Sequence, residues 1–461
     1  MMKKALLRPL SLALALIVLC MTLASCAGTG KTLMSLDKNG IKVAISVNIY
    51  ELMLSRMKGT LVNGGYTTNG MNAQNDAFWN YTSKFGGDIE MTLDEYYRQC
   101  IQDNCRTYLV SMYLFEEMGL TLSAEAIADV DDRLNELLLT DGNGSKTKLN
   151  SVLSEFGVNY DMLREAYLIE KKVDAVQTAL FGKNASLIGE DIKTEFLEEN
   201  YVHFRQIYLP TFHYSCETDE NGDDIYFYPS GEKEGHVYYD VHNGVVGYNE
   251  DGSKIVDENG DVVYFVNDGK YKTVAYDTTN GARSYLMDKD DPTAYLTKEM
   301  SESEVKALEE RANMLLNTLQ NASQKEFELA ISLEANKSSP TNDMEEHPDG
   351  YYLDRKVDYA ASGSDYQYLT DIIEKLDTMK AGEVALISSA FGYHIIMKYD
   401  HTPAAYSAEE NVIWFENFNS QLIEKLFLER CEAHYADIKL DEALLATAPT
   451  MKEVAINYYL I

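Results

Sequence analysis

Apolar residues return every three or four positions through much of the first 200 residues, a spacing that predicts helices. Tyr97, Ile101, Cys105, Tyr108, Met112 and Phe115 form one such stripe, and Gly119 follows as a stop. Ser123 is placed to cap a second helix through Ile127, Val130, Leu134 and Leu137-Leu138. A third helix carries Leu149, Val152, Leu153 and Phe156. After Gly157 the longest stripe runs from Met162 to Leu180, and a short helix holds Ile192, Phe196 and Tyr201. Residues 41–200 therefore read as an all-helical module.

The pattern changes at Val202. His203-Phe204-Arg205-Gln206-Ile207-Tyr208-Leu209 reads as a strand ended by Pro210. Residues 213–297 are rich in tyrosine and in turn pairs: Asn221-Gly222, Asn243-Gly244, Asp251-Gly252, Asn259-Gly260 and Asp268-Gly269. Such pairs between strand formers are the strongest short-range hairpin signal, so this block reads as a β-hairpin insert.

Helix returns from Ser301 to about Leu333, with Val305, Leu308, Ala312, Leu315 and Leu316 on one face. A loop from Ser338 to Gly350 leads into Tyr351-Tyr352-Leu353. A helix at about 366–379, a turn at Lys380–Val384 and a strand through Phe391–Met397 follow. A last helix is predicted at about 407–435, carrying Trp414, Phe415, Phe418, Leu422, Leu426 and Phe427. One helix cannot bury that stripe alone, so residues 401–461 are expected to pack back on the N-terminal module.

The chain begins with a basic stretch, Lys3, Lys4 and Arg8, before an apolar run from Leu10 to Thr22. That run is shorter than the roughly 20 residues a membrane helix needs and reads as a signal peptide over residues 1–25. Its ending, Leu23-Ala24-Ser25-Cys26, matches the lipobox of bacterial lipoproteins, with Cys26 as the acylated residue. Residues 26–40 read as a polar tether. The expected location is therefore the extracytoplasmic face of a bacterial cell membrane, with the lipid on Cys26 as anchor.

Charge narrows the partners. The 461 residues carry 40 Lys+Arg against 74 Asp+Glu, a formal net charge of −34. Such a polyanion has no electrostatic route to nucleic acid. Neutral or cationic polypeptides fit it better. Beyond Cys20 and Cys26 the cysteines are Cys100, Cys105, Cys216 and Cys431, read as buried thiols with no zinc-type spacing. The acidic loop Asp219-Glu220-Asn221-Gly222-Asp223 puts Gly at the fourth position and lacks the distal Glu of an EF-hand loop. No metal or cofactor is expected, and no nucleophilic triad, phosphate loop or HExxH motif is present.

Several segments resemble a parvulin-type peptidyl-prolyl isomerase domain. Lys380-Ala381-Gly382-Glu383-Val384 followed by Phe391-Gly392-Tyr393-His394-Ile395-Ile396 resembles that family's closing helix–turn–strand signature. Asp349-Gly350-Tyr351-Tyr352-Leu353 resembles its Gly-aromatic strand start. Phe327-Glu328-Leu329-Ala330 resembles the middle of its first helix, where Phe and Leu-Ala pack on the sheet. Glu199 to Ile207 resembles the approach to its first strand. With the lipobox and helical flanks, the whole is similar to PrsA-like or SurA-like extracytoplasmic foldases. The likeness is specific over about 190–212 and 301–400, compositional over 40–190, and has no counterpart for 213–297.

That resemblance implies an α+β protein. A helical chaperone module, 41–200 with 401–461, would hold an inserted parvulin-like α/β domain, 201–400, itself carrying the β-hairpin insert. Its clients would be unfolded or nascent exported polypeptides with Pro-containing segments. The reaction faces a barrier of about 20 kcal/mol set by amide resonance and makes no bond. The site therefore needs an apolar pocket for Pro and polar groups that favour the twisted amide.

The family pairs two sheet histidines with a nearby Asp or Cys and Met/Phe/Leu walls. Here the second histidine is His394, the first falls at Gln206, and the Asp/Cys position falls near Asn336. Gln and Asn keep hydrogen bonding but lose titration and negative charge. The pocket wall would be Leu353, Tyr368, Ile372 and Phe391, none of them the family's usual Met. The expectation is a foldase with reduced or absent isomerase activity. The alternative is a non-enzymatic surface lipoprotein using its Tyr-rich insert for ligand binding or adhesion.

Overall fold

The structure, a computed structural model, describes residues 30–68, 70–85, 89–216, 285–288, 294–338, 344, 347–359 and 366–458, with short strand segments between 225 and 283. The expected signal peptide, Cys26 and most of the expected hairpin insert lie outside the described residues.

The stretch expected to be a tether up to residue 40 contains a strand. Thr32–Lys38 (β1) and Ile41–Ser46 (β2) pair antiparallel across Asn39-Gly40, whose φ values of 53° and 81° suit a two-residue hairpin turn. Leu33, Met34 and Leu36 of one strand and Val43 and Ile45 of the other are buried. The first module is thus not all-helical. Helices follow at Val47–Asn63 (α1), Leu93–Glu117 (α2), Ala124–Thr140 (α3), Tyr160–Phe181 (α4) and Glu190–Asn200 (α5). Ser123 caps α3 by accepting from the Ala126 amide.

Next come Tyr201–Pro210 (β3), Phe212–Tyr214 (β4), Thr297–Glu299 (β5), Glu302–Leu319 (α6), Gln324–Ser338 (α7) and Tyr351–Asp354 (β6). Gln367–Asp377 (α8), Val384–Ser388 (β7), Gly392–Lys398 (β8), Phe418–Glu432 (α9) and Ile438–Leu440 (β9) complete the described chain. Helices and small antiparallel sheets together make an α+β protein.

The contacts divide the chain into two units: residues up to Ile188 with Asn417 onward, and Gly189–Glu416. In the first, β9 joins β1 and β2 in a three-stranded sheet. The buried Lys58 of α1 donates to the carbonyls of Lys452 and Val454, and Asp94 of α2 accepts from the Met451 amide. The C-terminal segment is thereby fastened to α1 and α2.

The second unit is built on a four-stranded antiparallel sheet in the order β6-β3-β8-β7. Side chains alternate between its faces, as a pleat requires. Val202, Phe204, Leu353, Ala385 and Ile396 pack with Ile372, Ile373 and Leu376 of α8 on one face. Ile207, Leu209, Ile395 and Met397 pack with Ala312, Leu319, Phe327 and Ile331 of α6 and α7 on the other. Cations close two helix ends, where unpaired carbonyls carry partial negative charge. Arg355 Nη1 reaches the carbonyls of Glu198, Glu199 and Tyr201 at the end of α5, and its Nε donates to Asp377. Lys398 Nζ donates to the Leu376 and Met379 carbonyls at the end of α8.

Three further expectations are corrected. The helix expected from Ser301 to Leu333 is two helices, broken before Ser323, which caps α7 with Glu326 reaching back to its amide. Leu329, expected to pack on the sheet, is 61% exposed, because Phe327 and Ile331 occupy the inward face of α7. The C-terminal helix starts at Phe418 rather than 407, after two short 3-10 turns at Ala405–Ser407 and Glu409–Asn411. Trp414 and Phe415 are drawn off by the second unit, where they meet Tyr351 and Tyr352 at ring distances of 5.4 and 4.9 Å.

Candidate functional site

Gln206 and His394 lie on neighbouring strands and on the sheet face that carries α8. Register pairs His394 with Tyr208 and Gln206 with Ile396, so Gln206 stands diagonally across from His394. Gln206 Oε1 is 2.9 Å from His394 Nδ1, and Ser389 Oγ is 3.0 Å from Nε2. Ser389 Oγ also accepts from the Phe391 and Gly392 amides, each at 3.2 Å. Its own proton lies within reach of both Nε2, at 3.0 Å, and the Gly392 carbonyl, at 3.3 Å, while Nδ1–H donates to Gln206. The ring is neutral and both nitrogens are used.

Both ring faces are covered as well. Tyr208 and Tyr368 stack on His394 from opposite elements, each with centroids 4.8 Å away, at 17° and 14°. The Tyr208 hydroxyl donates to the Phe391 carbonyl at 3.1 Å, which fixes that ring. His394 is 4% exposed, and burial pushes its pKa down to about 4. Gly392 permits the close approach of β8 to β3, since a Cβ there would lie 2.2 Å from the Leu209 carbonyl oxygen.

The other candidate residues divide sharply. Tyr368 is in the site. Phe391, in the turn between β7 and β8, is 40% exposed beside it. Ile372, one turn beyond Tyr368 on α8, is fully buried in the core. Leu353 does not line the site. It pairs with Val202, six residues along β3 from Tyr208, or about 20 Å of strand. Asn336 falls in α7, with its side chain outside the described residues.

No family model matches the sequence, and no curated protein matches it. What the site can do therefore rests on its geometry. Sequence reasoning missed Tyr208 and Ser389. Tyr208 shares the face of Gln206 by alternation, a signal that was present. Ser389 is brought to His394 only by the turn.

A neutral histidine with both nitrogens engaged cannot act as a general base without breaking one of those bonds. It can serve as the floor of an aromatic slot. A surface concavity of about 520 Å³ lined by Glu310, Asn313, Met314, Asn317 and Thr318 is unrelated, since all five lie along α6, which packs on the opposite sheet face. Among the described residues no cluster of three or more His, Cys, Asp or Glu could hold a metal ion, and no helix is long and apolar enough to cross a membrane.

Proposed function

We propose that this chain is a lipid-anchored extracytoplasmic foldase whose second unit is a parvulin-like domain with weak isomerase activity. The observation that carries the reading is the 2.9 Å approach of Gln206 to His394, positions that match the family's two sheet histidines. Support also comes from the segments bearing the resemblance. Tyr201–Ile207, Tyr351–Leu353 and Gly392–Ile396 are strands of one sheet, and Phe327 packs against it. The second unit interrupts the first in sequence, as an inserted domain within a chaperone module would. Cys26 would supply the membrane anchor, and unfolded exported chains would be the clients.

The test is aggregation of an unfolded secreted protein, followed by light scattering. The whole chain at equimolar ratio is expected to suppress scattering at least about twofold, and His394→Ala to leave that suppression intact, because holding does not use the ring. Scattering unchanged by the whole chain contradicts the chaperone reading.

A further inference from the structure

Three short segments of the second unit meet at the base of the expected hairpin insert: 211–216, 285–288 and 294–299. Their backbones close a triangle of hydrogen bonds. Ser215 N donates to the Leu296 carbonyl at 2.8 Å, Leu296 N to the Leu286 carbonyl at 2.7 Å, and Leu286 N to the Ser215 carbonyl at 2.9 Å. Tyr214, Tyr285 and Tyr295 each stand one residue ahead of a member of that triangle, so strand alternation turns all three the same way. The Cys216–Tyr285 and Met287–Tyr295 bridges and the Tyr214–Thr297 pair hold this register.

The three rings stand close to perpendicular to one another. Tyr214 and Tyr285 have centroids 6.0 Å apart at 80°, Tyr214 and Tyr295 5.9 Å at 84°, and Tyr285 and Tyr295 5.8 Å at 67°. Three planes at these angles can be the walls of a box corner. The point facing all three then lies at the centroid separation divided by √2, about 4.2 Å from each ring. An aromatic face carries negative charge density, and three faces aimed at one point favour a cation there. All three rings are half-buried, as the walls of an open corner are. Phe212 backs the Tyr214 ring, with centroids 5.2 Å apart. His213 and Lys298 pair with each other and alternate with Tyr214 and Thr297, which puts these two cationic side chains on the other face.

We propose that Tyr214, Tyr285 and Tyr295 form an aromatic cage that binds the quaternary ammonium group of a free small solute. The dimensions select this class. A nitrogen about 4.2 Å from each ring brings its methyl carbons to about 3.5–4.0 Å, ordinary carbon contact. A lysine ammonium is compact and strongly hydrated, and a corner without acceptors on its walls does not replace that water. The formal net charge of −34 draws small cations toward the chain. The same charge opposes an ammonium tied to a phosphodiester, as in a lipid headgroup. The cage shares no residue with the slot at His394 and stands whether or not that slot isomerises proline.

The test is calorimetric titration of the full chain with choline and with dimethylbutanol, its neutral analogue in which carbon replaces nitrogen. Choline is expected to bind saturably and at least about tenfold more tightly, because only the cation gains from the ring faces. Tyr285→Phe keeps the face and should keep that preference, whereas Tyr285→Leu should lose it. Glycerophosphocholine should bind more weakly than choline, and equal or tighter binding would overturn the assignment to a free solute. Absence of saturable choline binding would overturn the cage and mean that the three rings pack edge to face with no room between them. Equal affinity for choline and its neutral analogue would overturn it too, as would a preference that survives in Tyr285→Leu. Should that variant fail to fold, the two ligands compared on the wild type decide alone.

Discussion

Isomerisation of a proline-containing peptide by the intact chain is expected to be about 10²- to 10³-fold slower than by a parvulin that keeps both sheet histidines. Two features set this expectation. On the proposed parvulin-like reading, Gln206 stands where a titratable partner of His394 would be, and one lost polar contribution to a transition state commonly costs that factor. Tyr368 also covers the face of His394 that α8 overhangs. An aromatic stack contributes about 0.5–1.5 kcal/mol, so Tyr368→Ala should raise turnover by up to about tenfold. Gln206→His with Asn336→Asp should raise it further. The measurement is cis/trans exchange of an Ala-Pro peptide. Wild-type turnover equal to that of an intact parvulin, and abolished by His394→Ala, would show that the substitutions have not weakened the site.

The second large effect is acid sensitivity of the second unit. The folded pKa of His394 is about 4 against an ordinary 6.5, because burial excludes the charged ring. Between those values the unfolded chain binds a proton that the folded chain refuses. Stability from this group is therefore complete above about pH 6.5 and lost as pH falls toward 4. At about 1.4 kcal/mol per pKa unit the loss comes to about 3.5 kcal/mol, a large share of a domain's stability. Urea unfolding followed by Trp414 fluorescence in a Trp79→Phe background should show it, since the chain has two tryptophans. His394→Gln should remove most of the loss between pH 7 and 4.5. His401, also pushed down by burial, supplies part of the remaining slope. An unchanged slope in the variant would mean that His394 is not the group excluded from charging.

The long helices were legible because each carries a continuous apolar stripe with a readable cap or stop. Ser123 and Gly119 bound two of them in the structure as their residue types suggest. The β1–β2 hairpin was equally written in the chain, in Asn39-Gly40 between alternating apolar residues. A polar run before it masked the signal. The break between α6 and α7 had its own mark in Ser323 and Glu326, hidden because apolar residues continue on both sides.

The C-terminal stripe misled for a different reason. Its residues serve two separate cores, Trp414 beside the sheet of the second unit and Phe427 in the first, and periodicity cannot reveal such a division. The site was half legible. His394, Gln206 and Tyr368 converge, whereas Leu353 is placed elsewhere by strand register, which no local pattern encodes. Tyr208 reaches His394 by the same kind of long-range pairing, whereas Ser389 is brought there by the tight turn between β7 and β8.

On the function proposed above, the slot beside His394 receives proline. It is tested most directly by following the His394 Cε1–H resonance by NMR while unlabelled Ala-Pro peptide is added to the full chain. The account predicts a saturable shift of His394 and of the Tyr368 ring, with no such shift from an Ala-Ala peptide of equal length. Resonances that stay fixed with Ala-Pro, or move equally with both peptides, would contradict it.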